Sequence, residues 1–356
     1  MVSTNYWALG KLIEVPTSKR LNVAVVGATG MAGNETLRVL SQRKFPIERV
    51  IALASERSKG MTVPYDGSSI KIDLLDESAF KGIDIALFAA SGDIALMYGP
   101  VAAEAGALVI DLSSAWRMKD NVPLVVPEVN REDIRENEGI IANPNCCAIP
   151  LTVILEPLKK MVGLERVLVS TYQSASGAGR HLVDELEEQT KAIADGKEPP
   201  VVAYPYQLAY NVVPGGWRPE ADGYNEEEVK IVNETRKIMH LPELRISATC
   251  VRVPVPVGHG ESVFVETTEK ITADQARELF AKAPGVVVQD DPHAKLYPTP
   301  HAVAGKDEVY VGRIRDDAST KRGLALWIVS DNLRKGAALN AVQIAEQAIE
   351  MGVVRT

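Results

Sequence analysis

The heptapeptide Gly27-Ala28-Thr29-Gly30-Met31-Ala32-Gly33 constrains the fold of this chain more than any other stretch. It follows an unbroken apolar run, LNVAVV (21–26), and leads into a segment with helical spacing around 34–43. Glycines at these positions permit a tight turn and a close approach of backbone to a ligand, and a helix that starts there turns its first N–H groups toward a phosphate. That context makes Gly27, Thr29, Gly30, Met31 and Gly33 candidates for holding a dinucleotide. The spacing is G-x-x-G-x-x-G rather than G-x-G-x-x-G, so the strand and helix around it carry the reading; a plain structural turn is the alternative.

Further short apolar runs follow at 49–53, 83–88 and 107–112, with helix supplied by 99–106. Five or so such units predict an α/β chain opening with a Rossmann-type, doubly wound parallel sheet. From about residue 165 the runs lengthen and alternate: 165–172, 245–254, 261–268, 308–315 and 323–330. Alternation predicts an antiparallel or mixed sheet with one face covered, by helices at roughly 177–195, 226–240 and 272–283. The last helical segment, 335–351, has a small-residue face suited to the first domain. The expected division is therefore residues 1–146 with 332–356 as a discontinuous first domain, and 147–331 as an α+β second domain. Two domains also suit a length of 356 residues. Residues 1–20, including Trp7 and Leu9, read as a short lead-in.

Composition excludes several classes. With 46% hydrophobic and 24% charged residues the chain is an ordinary globular one. Its net charge of −8 argues against nucleic acid as a partner. No stretch is apolar enough for a membrane span or signal peptide, so the expected location is the cytoplasm. Three cysteines, two of them adjacent, are no disulfide framework, and no metal-ligand spacing such as C-x-x-C occurs.

Cys146 ends the run Asn143-Pro144-Asn145-Cys146, just before a predicted helix at 150–162. There a thiolate is favoured by unpaired N–H groups and the helix dipole; a buried small apolar side chain is the other reading. The stretch RVPVPVGHG (252–260) sets His259 between glycines at a predicted strand exit, the setting of an exposed acid/base, and offers Arg252 as a planar fork for carboxylate or phosphate. A turn histidine and a surface arginine are the plainer alternatives. Behind the second strand, Ser55, Arg57, Ser58 and Lys59 surround Glu56 with donors and positive charge, which suits a 2′-phosphate; a solvated loop reads the same way.

Several motifs in order give a family resemblance: GATGMAG (27–33), SSAWR (113–117), NPNC (143–146), QSASGAG (173–179), the Glu227-x-x-Lys230 pair, RVPVPVGHG (252–260) and DNLRKGAA (331–338). Together the chain resembles the aspartate-β-semialdehyde dehydrogenases over nearly its whole length. The resemblance implies an NADP-binding first domain and a catalytic and dimerisation second domain. It implies reductive dephosphorylation of 4-phospho-L-aspartate to L-aspartate 4-semialdehyde with NADPH, a step toward lysine, threonine, methionine and diaminopimelate. Cys146 would form a thioester, His259 would be acid/base, and Gln173 would orient the nucleophile or the thioester carbonyl. Arg252 would take the substrate carboxylate and Glu227 its ammonium group; Arg117, Lys230 and Asn145 would take phosphate. Ser91, Gly92, Gly177 and Asn332 would join the cofactor site, Asn332 at the nicotinamide carboxamide. A homodimer or homotetramer is implied, with no metal.

One departure stands beside the nucleophile: Cys147 and Ala148 occupy positions where the family usually has a small residue and then Thr or Ser. Cys147 is expected to be packed rather than reactive. The competing readings are an N-acetyl-γ-glutamyl-phosphate reductase, a glyceraldehyde-phosphate-type dehydrogenase, and a catalytically silent nucleotide-binding protein on the same fold.

Overall fold

The computed structural model describes residues 20–354; the expected lead-in, with Trp7 and Leu9, lies outside the described residues apart from Arg20. The chain forms two compact units, one running to Pro144 and resuming at Ala337, the other comprising Asn145–Gly336.

The first unit is built on a seven-stranded sheet ordered β3-β4-β2-β1-β5-β6-β7. Its strands are β1 (Leu21–Val26), β2 (Ile47–Ala54), β3 (Thr62–Tyr65), β4 (Ser68–Leu74), β5 (Ile85–Phe88), β6 (Leu108–Asp111) and β7 (Ile140–Ala142). All neighbours run parallel except β3 and β4, which pair antiparallel at the edge. Strand β1 lies between β2 and β5, so the connections diverge at its C-terminal end, where a doubly wound sheet leaves its ligand crevice. The run Val23–Val26 is fully buried because a central parallel strand has both faces covered. Helix α1 (Met31–Gln42) leads out of the glycine turn. Helix α2 (Gly92–Glu104) is longer than the 99–106 expected, and the short α3 (Pro127–Asn130) precedes β7. The C-terminal helix Leu339–Glu350 buries Leu339, Val342, Ile344 and Ala348 in this unit's core, and its Glu346 takes two bonds from Arg43 at 2.7 and 2.8 Å.

The second unit is a six-stranded mixed sheet ordered β11-β12-β13-β10-β8-β9. It contains α4 (Ala148–Val162), β8 (Leu164–Gln173), α5 (Arg180–Ala194), α6 (Glu226–Ile238), β9 (Arg245–Arg252) and β10 (His259–Thr267). After these come α7 (Ala273–Phe280), β11 (Val286–Val288), α8 (Pro300–Val303), β12 (Val309–Asp316) and β13 (Gly323–Ser330). Register fixes which side chains share a face. Thr171 on β8 pairs with Cys250 and Glu261, and one rung further Gln173 pairs with Arg252 and His259 with Ser330. Paired residues project to the same side, so one face of the sheet carries a polar floor. The opposite face leaves Leu168, Tyr172 and Phe264 exposed.

Candidate active site

The glycine turn is held by sterics. Gly27 has φ +79°, and a Cβ on Gly33 would lie 2.2 Å from the Gly27 carbonyl oxygen, so the helix start can approach this closely only without a side chain. Gly30 is the N-cap of α1 and supplies no side-chain bond to it. First-turn N–H groups are therefore left to a ligand, which is the donor set a pyrophosphate needs. Thr29 and Met31 lie on the same turn, while Ser91 caps α2 and Gly92 begins it. Behind β2, Ser55, Arg57 and Lys59 are exposed, Ser58 is half-buried, and Glu56 pairs with Lys59 at 3.5 Å. These residues fit a dinucleotide. In the same unit Arg117 is buried in the loop after β6, its Nε donating to Asn143 O at 3.0 Å and Nη2 to Leu112 O at 2.9 Å. Nearby, burial raises the Asp111 carboxyl above its usual range, against the opposing bonds from Ser113 and the Arg117 charge.

In the second unit the chain enters α4 through Asn145-Cys146-Cys147. The Asn145 side-chain oxygen accepts from the N–H groups of Cys147 (2.8 Å) and Ala148 (3.3 Å), its Nδ2 donates to Glu227 at 2.8 Å, and its own N–H donates to Glu234 at 2.6 Å. Two first-turn N–H groups expected to favour the thiolate are thus bonded to Asn145 instead. Asn145 itself is tied to α6 and to the helix start. Cys146 is half-buried and Cys147 fully buried. Burial, with the neighbouring Cys146 thiol, pushes the Cys147 thiol well above its ordinary range. Gln173 Nε2 lies 3.3 Å from Cys147 Sγ and 3.2 Å from Glu227 Oε1.

His259 opens a strand instead of leaving one, and it is 1% exposed; the expected exposed strand-exit histidine is corrected to a buried one. The physical reason is the segment that follows β8, whose Ser174 N–H bonds the ring at Nδ1 and whose Gly177 lies against Nε2. Its Nδ1 accepts the Ser174 N–H at 3.0 Å. A neutral ring so held carries its proton on Nε2, and Nε2 is buried without a partner. Gly177 lies against this edge, since a Cβ there would be 3.1 Å from Nε2 and 3.0 Å from Arg252 Nη1. Ligand atoms of Cys146, Cys147 and His259 all lie within 4.8 Å of one another, so the two thiols and the imidazole share one pocket; a soft metal ion would compete for the same atoms.

Arg252 is also buried, not a surface residue, and donates from Nη1 to Ser174 O at 2.7 Å. Glu227 pairs with Lys230 at 3.6 Å, and Lys230 also lies 3.8 Å from Glu226. Asn332 accepts at Oδ1 from Gly258 N (2.8 Å), Ser174 Oγ and Ser176 Oγ, so its carbonyl is already committed within the chain. Sequence reasoning missed Ser174, Glu234 and Glu261. Glu234 stands seven residues beyond Glu227, two turns along one helix face, a spacing that could have flagged it. Glu261 alternates with His259 along β10, and both of its carboxyl oxygens are buried without partners. Burial, and then the Cys146 charge, raises its carboxyl well above the usual range.

A glycine turn at the end of a parallel strand, and a pocket with a thiol and an imidazole on a mixed sheet, are the features of a nicotinamide-dependent oxidoreductase. Two family models match: the semialdehyde dehydrogenase NAD-binding domain over residues 22–137 and the semialdehyde dehydrogenase dimerisation domain over residues 155–335. The aspartate-semialdehyde dehydrogenase of Aquifex aeolicus is 49% identical, covering 93% of this chain and 99% of its own length. That of Bacillus subtilis is 46% identical over 94% and 99%. A crystal structure of aspartate semialdehyde dehydrogenase II complexed with ASA, from Vibrio cholerae, superposes with a TM-score of 0.91 at 44% identity, covering 93% of this chain and 99% of that one. The chain belongs to the aspartate-semialdehyde dehydrogenase family, oxidoreductases that carry out the reductive dephosphorylation of aspartyl phosphate in amino-acid biosynthesis. Its cofactor is a nicotinamide dinucleotide.

Proposed function

We propose that the chain reduces 4-phospho-L-aspartate to L-aspartate 4-semialdehyde through a thioester on Cys146, with NADPH as the reductant. The observation that carries this reading is the partnerless Nε2 of buried His259 beside the Cys146 sulfur. Cys146 attacks the acyl-phosphate carbonyl as the thiolate; a C–S bond forms, the C–O bond to phosphate breaks, and phosphate leaves. His259 donates from Nε2 to the oxygen that gains negative charge, so the acid half of acid/base work is what this ring orientation offers. When bound, a nicotinamide would supply hydride at the thioester carbon. The resulting alkoxide accepts a hydrogen bond from His259 Nε2 and then collapses, the C–S bond breaking to release the aldehyde and restore the Cys146 thiolate.

Arg252 holds the substrate carboxylate, Glu227 the ammonium group, and Arg117 and Lys230 the phosphate. Gln173 and Asn145 act by positioning the nucleophile segment and Glu227. Thr29, Met31, Ser91 and Gly92 bind the cofactor from the first unit, and the family resemblance assigns Gly177 and Asn332 to it as well. NADP rather than NAD is supported by the donors Ser55, Arg57 and Ser58, which suit a 2′-phosphate. A homodimer through the face bearing Leu168, Tyr172 and Phe264 is supported by their exposure. A cytoplasmic setting suits three free cysteines; among the described residues no helix is long and apolar enough to cross a membrane.

The test is phosphate-dependent reduction of NADP by purified protein with aspartate semialdehyde. Turnover that requires phosphate is expected. Turnover only with N-acetylglutamate semialdehyde, or tight NADPH binding without turnover, would overturn the reading.

A further inference from the structure

Arg252 is 2% exposed, yet no carboxylate pairs with it among the described residues. A buried guanidinium without a counter-ion must be held by other means. Its Nη1 is anchored on Ser174 O at 2.7 Å, while its Nε is buried and has no partner. The guanidinium carbon sits 4.8 Å from the centroid of the Trp217 ring and 5.8 Å from that of Tyr204. The segment bearing Trp217 is bonded to the arginine's own backbone: Arg252 N donates to Val213 O at 2.8 Å, and Val213 N donates to Arg252 O at 2.9 Å. The Tyr204 hydroxyl donates to Gly215 O, two residues before Trp217, so one tyrosine both faces the guanidinium and ties down the turn that presents the indole.

We propose that Trp217 and Tyr204 are positioning residues that fix the plane of the Arg252 guanidinium and thereby set the selectivity of the site for substrates bearing an α-carboxylate. The proposal rests on the reading of Arg252 as the carboxylate anchor. Aromatic faces attract the cation without using its N–H groups, so the Nε edge stays available to a planar anion. The half-buried indole also shields the guanidinium from water, which strengthens a charge-assisted pair made there. Free rotation of the fork would cost such a pair its two-pronged geometry.

The experiment compares aspartate semialdehyde with 3-aminopropanal, the same amino-aldehyde without its carboxylate, in phosphate-dependent NADP reduction. Trp217→Ala and Trp217→Leu are each expected to raise KM for aspartate semialdehyde about tenfold with kcat held within about twofold. The kcat/KM for 3-aminopropanal and the KM for NADP should stay unchanged, and Trp217→Phe, which restores a ring face, should recover most of the loss. Equal losses with both aldehydes, or no loss with either, would overturn the proposal. Arg252→Ala separates the two levels. If it leaves KM for aspartate semialdehyde unchanged, the carboxylate reading of Arg252 itself is wrong; if it raises KM while Trp217→Ala and Trp217→Leu do not, only the aromatic positioning is.

Discussion

The glycine turn of the first unit and the polar floor of the second present ligand-binding groups by opposite means. The turn uses backbone: Gly27 and Gly33 make room, and α1 offers N–H groups that no side chain caps. The floor uses side chains, each locked by others from distant segments, as when Asn145 bonds to Glu227 and Glu234 while Ser174 fixes His259. A backbone site fails when a single atom is added where there is no room for it, as at Gly33. A side-chain site fails by degrees as its supports are removed.

The largest effect follows from that contrast. Gly33→Ala places a Cβ 2.2 Å from a backbone oxygen that cannot move aside, whereas a Cβ at Gly30 meets the same oxygen at 3.4 Å. Gly33→Ala should weaken NADPH binding by about a hundredfold or more, or prevent soluble expression, while Gly30→Ala changes it no more than about fivefold. Fluorescence titration of NADPH checks both, and similar effects from the two would break the contrast. Arg57 tests where backbone control of the cofactor ends. Arg57→Ala should raise the NADP KM about tenfold and leave any NAD activity unchanged, because one exposed charge-assisted bond is at stake. Equal loss with both cofactors would make that loop structural.

The smallest effect is on the floor. Glu261 has its folded pKa raised above the unfolded value by burial. Its contribution to stability is therefore full below the unfolded pKa and falls as pH rises toward the folded one. Glu261→Gln removes that loss, so the variant should gain about 2 °C or more in Tm at pH 8 relative to wild type, and much less at pH 4. Thermal melts at the two pH values check the sign; a gain larger at pH 4 would contradict it.

Sequence patterns revealed these two regions unequally, for a physical reason. Turn sterics act over seven residues, so GATGMAG announces itself. The edge hairpin of β3 and β4 did not: Pro64 interrupts one strand, and exposed residues of β4 blur its alternation. The burial of His259 depends on Ser174 and Gly177, far back in the sequence, which nothing local encodes, so a residue read as exposed is buried. The support of Asn145 comes from residues more than eighty positions away. The motifs of the floor are legible through family resemblance, but the bonds that hold them join segments far apart in sequence.

The central claim is that Cys146, not the adjacent Cys147, forms the thioester. Cys147 is fully buried, its thiol is pushed up by that burial, and its sulfur already meets Gln173 at 3.3 Å. The direct measurement is trapping of the acyl-enzyme by mass spectrometry, alongside phosphate-dependent turnover, in Cys146→Ala and Cys147→Ser. Cys146→Ala should lose both the adduct and activity, while Cys147→Ser keeps the adduct and at least about half the turnover. An active Cys146→Ala enzyme with the adduct on Cys147 would contradict the assignment.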